Sequence, residues 1–264
     1  MMMRTGLAHV VAALVAATAI PAHGYQVLDP GSIVEGKSIA AWNAEWWTWI
    51  WNAPVSADPL ADTTGASARL DNDRAVFFIA GAGSSGSYER TFDVPAGRPL
   101  LIPMINYWEN CVGDPAASCG PSYLPDPRVQ MAANVEVVKA RDTNPFLSID
   151  GTPISDPYSH WEVSDFFSGG IGTAGTTLAA LYGSFGLPFV GLDISPSLAY
   201  GYYAMVTDLA PGAHTLMYGG GDTVTGLTFD VTAHINVVAI PEPETYALML
   251  AGLGTIGWIA RRRA

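Results

Sequence analysis

Residues 74–238 alternate short runs of strand-forming residues with clusters of turn formers, and that rhythm restricts the fold more than any other feature. The runs are Arg74–Ala80, Tyr88–Val94, Pro99–Ile105, Val135–Ala140, Phe146–Ile149, His160–Phe166, Tyr202–Asp208, His214–Tyr218 and Leu227–Val238. Between them stand Gly81–Gly86, Pro95–Gly97, Asp150–Gly151, Pro211–Gly212 and Gly219–Asp222, residues that tolerate or impose turn dihedrals. Leu227, Phe229, Val231, Ala233, Ile235 and Val237 alternate with polar residues, which predicts a strand with one dry and one solvated face. Spacing of this kind predicts a mainly β domain, an antiparallel β-sandwich or jelly roll.

Ahead of the strands, SIAAWNAEWWTWIWN (Ser38–Asn52) packs five tryptophans into ten residues and stops at Ala53-Pro54. At about 100° per residue, Ile39, Trp42, Trp46, Trp49 and Ile50 share one arc, which predicts a helix docked on the domain. Trp47 and Trp51 fall outside that arc. They are covered by loops, exposed together with Trp108 as a platform for stacking on sugar rings, or covered by a protein partner.

The two ends differ from the middle. Arg4 precedes an apolar run from Leu7 to Ile20, and Pro21-Ala22-His23-Gly24 offers small residues to a signal peptidase, so residues 1–24 read as a signal peptide. Residues 25–239 read as one extracytoplasmic domain. At the other end, Pro241-Glu242-Pro243-Glu244 is followed by an apolar segment, 246–260, and then by Arg261, Arg262 and Arg263. Fifteen helical residues extend about 22 Å, short of the roughly 30 Å hydrocarbon core, so this is a marginal span held by arginines that resist translocation.

That order of Pro-Glu-Pro, short hydrophobic helix and arginine cluster resembles the PEP-CTERM sorting signal of Gram-negative bacteria over residues 240–264. The resemblance implies export, anchoring in the inner membrane, and processing near the Pro-Glu-Pro by a membrane-embedded exosortase-like enzyme. The protein would then pass to the cell surface or outside, in a setting of exopolysaccharide and biofilm production.

Charge removes one class of partner. Residues 25–240 carry 8 Lys and Arg against 22 Asp and Glu, and so acidic a surface repels nucleic acid. Cys111 and Cys119 lie in a Pro-, Gly- and Asp-rich stretch, and with an export signal upstream they are expected to form a disulfide. A two-thiolate metal site is disfavoured because no CxxC or nearby His completes a ligand set.

Motifs for chemistry are sparse. No Gly-x-Ser-x-Gly, P-loop, HExxH, dinucleotide fingerprint or EF-hand loop occurs, and no cofactor is implied. His160 and Glu162 are the best metal candidates, since i and i+2 on a strand share a face, but two ligands do not complete a site. Asp71-Asn72-Asp73 reads as a turn rather than a calcium loop. Glu109 and Asp114, beside Tyr107 and Trp108, form the most suggestive acidic and aromatic cluster. Three functional classes remain, in this order: a non-catalytic surface or matrix protein, a carbohydrate- or ion-binding module, and a secreted glycan-active enzyme.

Overall fold

A computed structural model describes residues 24–239. The signal peptide expected at 1–24, all but its last residue, and the sorting tail, with Pro241, Glu242, Pro243, the apolar segment 246–260 and Arg261, Arg262 and Arg263, lie outside the described residues. In chain order the elements are β1 (Gln26–Val27), β2 (Ile33–Val34), β3 (Lys37–Ser38), α1 (Ile39–Asn52), β4 (Phe77–Phe78), β5 (Gly86–Pro95), β6 (Leu100–Val112), α2 (Pro115–Ser118) and α3 (Pro127–Lys139). They continue with β7 (Asp142–Ile149), β8 (Thr152–Pro153), β9 (Trp161–Val163), α4 (Thr177–Ser184), β10 (Ile194–Thr207), β11 (Gly212–Asp222) and β12 (Thr228–Val238).

The chain is mainly β. One five-stranded sheet runs β1-β10-β6-β4, with β9 also on β10; the other runs β5-β12-β11-β7-β8, and neither closes. Their inner faces share one core, in which Leu100, Ile102, Met104, Tyr202 and Ala204 of the first meet Leu147, Leu216, Tyr218, Val231 and Ile235 of the second. The antiparallel expectation needs correction at two places: β5 pairs β12 and β4 pairs β6 in parallel.

Burial follows the strand period. On β12, Phe229, Val231, Ala233, Ile235 and Val237 are buried while Thr228, His234 and Asn236 face out, because this sheet has one covered face. On β6 and β10 the period is hidden. Leu100, Ile102 and Met104 enter the shared core, whereas Leu101, Tyr203 and Met205 enter a second core under α1, so both faces demand apolar side chains.

That second core is organised by the tryptophans of α1. Ser38 caps the helix by accepting the Ala41 N–H, and the helix ends at Ala53 before Pro54. Each indole of the arc then donates to the backbone of a different segment: Trp42 to Val34 O at 2.8 Å, Trp46 to Ile79 O at 2.8 Å and Trp49 to Leu70 O at 2.7 Å. Three stretches of chain are thereby tied to one helix. Burying each ring contributes on the order of 2–3 kcal/mol before these bonds are counted.

Trp47 and Trp51 are buried too, so α1 is covered beyond a single face. Leu178 of α4, Trp108 and Phe167 close over this side, and Phe167 stacks on Trp51 with centroids 5.8 Å apart and planes 14° apart. Gly169 lies so close that a Cβ there would stand 2.7 Å from Trp51 Cζ3 and 3.1 Å from Ile194 Cγ2.

Further elements differ from expectation, among them Arg74–Ala80, which is strand only at Phe77–Phe78, and the expected turn Gly219–Asp222, which lies within β11. The segment Val135–Ala140, read as a strand, belongs to α3: Asp126 caps it, Pro127 opens it, and Met131, Val135 and Val138 bury one helical face against Leu198 and Tyr200. The run His160–Phe166 contributes only the three residues of β9.

Candidate functional site

The chemistry-bearing residues gather where β6 loses its neighbour. Among the described residues β4 pairs β6 only at Leu100 and Leu101, so Asn106 to Val112 form an edge on that side while β10 continues on the other. Trp108 packs on Trp47 and Trp51 of α1, and Glu109 reaches Asn134 of α3. Trp108 is half-buried, its ring 4.4 Å from that of Trp47 and 6.4 Å from that of Trp51.

On the α3 side, Glu109 is held by three donors. Tyr200 Oη donates to Oε1 at 2.7 Å, and Oε2 accepts from Asn134 Nδ2 at 2.9 Å and Tyr123 Oη at 3.2 Å. Burial pushes the pKa values of both tyrosines up and the Glu109 charge adds to it, which keeps them as donors. Asp114 is not part of this group; it caps α2 by accepting the Ala116 N–H.

Next to Glu109 lies a carboxylate pair that the sequence did not single out. Asp142 and Asp222 are register partners on β7 and β11, and Tyr107 Oη donates to both, at 3.1 Å to Asp222 Oδ2. Arg141 Nε stands 2.8 Å from Asp222 Oδ2. Burial, together with the Asp222 charge, pushes Asp142 up to about 6, against the lowering effect of the Tyr107 hydroxyl and Arg141. For Asp222, burial is outweighed by the N–H groups of Thr225 and Val224, and its pKa is lowered.

Two cavities meet at Tyr107 and Trp108. One, about 630 Å³, runs between α4, the 55–61 segment and the Gly83 loop, and is lined by Trp47, Leu60, Leu181 and Phe229 with Asp58, Asn106, Ser84, Thr177 and Ser184 as polar groups. The other, about 330 Å³, lies over Glu109, Tyr123, Asn134 and Arg141. Trp47 and Trp51 offer no exposed ring, at 3% and 2% of their area; Trp108 alone of the three expected stacking residues is partly exposed.

His160 and Glu162 are buried beneath the N-terminal segment. Glu162 Oε1 accepts the Gly31 N–H at 2.8 Å, and burial raises its pKa; burial lowers that of His160, with the charges of Asp156 and Asp29 opposing. Among the described residues no group of three or more His, Cys, Asp and Glu is arranged to hold a metal ion. His214 bonds Asp150 Oδ2 at 2.7 Å and Ala210 O at 2.8 Å. Asn72 serves the backbone, accepting from Phe78 N at 3.0 Å and donating to Phe78 O at 2.9 Å.

Cys111 and Cys119 form a disulfide joining the end of β6 to α2. Beyond the sheets, β12 ends at Val238, whose carbonyl accepts the Ala96 N–H at 2.8 Å, and the remaining chain can be compared only as sequence. It matches the PEP-CTERM protein-sorting motif over residues 239–263. No curated protein and no solved structure matches the chain. The PEP-CTERM match covers 25 of 264 residues and starts one residue after β12, so every described strand and helix precedes it. Such tails are recognised by exosortase, and the motif implies an exported protein processed at the membrane. Among the described residues no helix is long and apolar enough to cross a membrane, and the expected span at 246–260 lies outside them.

Proposed function

We propose that this is an exported protein, held at the inner membrane by its PEP-CTERM tail, trimmed by an exosortase-like enzyme, and then displayed without catalytic activity at the cell surface or in the extracellular matrix. The observation that carries the reading is the motif at 239–263, which begins where the last strand ends. A cut near Pro241-Glu242-Pro243 removes no residue from either sheet, and removal of residues 1–24 by signal peptidase leaves β1 in place. The Cys111–Cys119 bond supports an oxidising destination.

The non-catalytic part of the proposal is supported by how the ionisable groups are used. The carboxylate of Glu109 accepts three hydrogen bonds from side chains of its own domain, and Glu162 holds the N-terminal segment. A reacting carboxylate needs a free face for substrate. The two-layer packing supports a β-sandwich, with the helical layer of α1 and α4 added to its outer side. An exopolysaccharide or biofilm setting fits the sorting motif and the acidic surface.

The experiment is to replace Arg261, Arg262 and Arg263 by Gln and fractionate cells. Loss of membrane retention, or failure of processing, is expected. Retention and trimming identical to the wild type would remove the basis of the proposal.

A further inference from the structure

We propose that the 630 Å³ groove beside Trp108 is a binding site for a neutral saccharide. This deepens the reading of a displayed, non-catalytic domain by giving its surface a ligand class. The volume falls within the roughly 300–1,000 Å³ of ligand sites, and the walls are of the same kind: aromatic and aliphatic side chains with a few polar groups among them.

The charges of the lining decide against most ligands. No Lys, Arg or His lines the groove, and its one ionisable carboxyl is that of Asp58. An anionic ligand would meet that carboxylate with no cation in the lining to offset it, on a domain already strongly acidic. Burial raises the Asp58 pKa, against the N–H groups of Leu60 and Ala61 and the charge of Arg90.

The polar groups ask for donors. Asn106 donates from Nδ2 to Tyr203 Oη and presents its amide oxygen as an acceptor, the Thr177 and Ser184 hydroxyls spend their hydrogens on Ala53 O and Leu181 O, and Asp58 Oδ1 accepts the Leu60 N–H at 2.9 Å. A ligand that brings hydroxyl donors on one side and a C–H face on the other matches this arrangement. A pyranose has both, and the partly exposed Trp108 indole supplies the flat surface for the C–H face. Trp108 is itself braced by Trp47 at 4.4 Å, so the platform is in place before the ligand arrives.

The test is isothermal titration of the full chain in detergent micelles with six-unit neutral glucose oligomers of β-1,4, β-1,3 and α-1,4 linkage, a six-unit oligouronate, and an uncharged apolar dye. At least one neutral oligomer is expected to bind, with the oligouronate at least tenfold weaker. Ala180→Trp fills the groove from an exposed position on α4 and leaves the core untouched; it is expected to raise the dissociation constant at least tenfold. Trp108→Ala should do the same where circular dichroism shows it folded. Binding of no neutral oligomer overturns the proposal, as does equal affinity in Ala180→Trp, an oligouronate as tight as the neutral sugars, or a groove that takes the dye and no sugar. An unprocessed tail would leave this result unchanged, and absent binding would leave tail processing unchanged.

Discussion

Replacing Trp46 by phenylalanine keeps an aromatic ring in the core but deletes one donor, and the loss is set by what remains behind. Trp46 is fully buried and its Nε1 donates to Ile79 O, on a residue only 1% exposed. The orphaned carbonyl has no water to turn to, which costs about 1–3 kcal/mol. Trp51→Phe is the matched control, because Trp51 is equally buried and its Nε1 has no partner to lose. Both variants share the cost of a smaller ring, roughly 1–2 kcal/mol. Trp46→Phe is therefore expected to fall below Trp51→Phe by about 1–3 kcal/mol. Guanidinium unfolding followed by circular dichroism, with unchanged m, reads this directly; in thermal unfolding each kcal/mol is worth roughly 2–4 °C for a domain of this size. Two variants within about 0.5 kcal/mol of each other would refute the idea that indole N–H groups tie the surrounding chain to α1.

The carboxyl of Asp142 has a folded pKa raised to about 6 against an unfolded value of 3.8, so the native state binds the extra proton between those values and stability falls as pH rises through that window. Asp142→Asn should consequently be more stable than wild type at pH 7.5, and the gain should vanish near pH 4; a variant less stable at both pH values contradicts this. Cys111→Ser with Cys119→Ser opens a short loop, and denaturant midpoints should report a loss of about 2–3 kcal/mol, matched by wild type under reductant.

What the sequence disclosed depended on how many faces an element buries. The alternation of β12 is visible because one of its faces is solvated. β10 is apolar on both faces from Leu198 to Val206, so the period disappears, and the run read from the sequence, Tyr202–Asp208, takes in only its second half. Val135–Ala140 resembled a strand because β-branched residues cluster there, yet the Asp126-Pro127 start and the spacing of Met131, Val135 and Val138 carried the helical signal. The acidic and aromatic cluster at Tyr107, Trp108 and Glu109 was legible from composition. Its partners Asn134, Asp142, Tyr200 and Asp222 were not, because they reach it through strand register and the docking of α3, neither of which any local pattern encodes.

The central claim is that the domain parts from its tail after export, and mass spectrometry of the protein recovered outside the cell tests it most directly. The account predicts a C-terminus near Pro241-Glu242-Pro243, with no peptide from the apolar segment or from Arg261 to Arg263. Extracellular protein that still carries those arginines would contradict it.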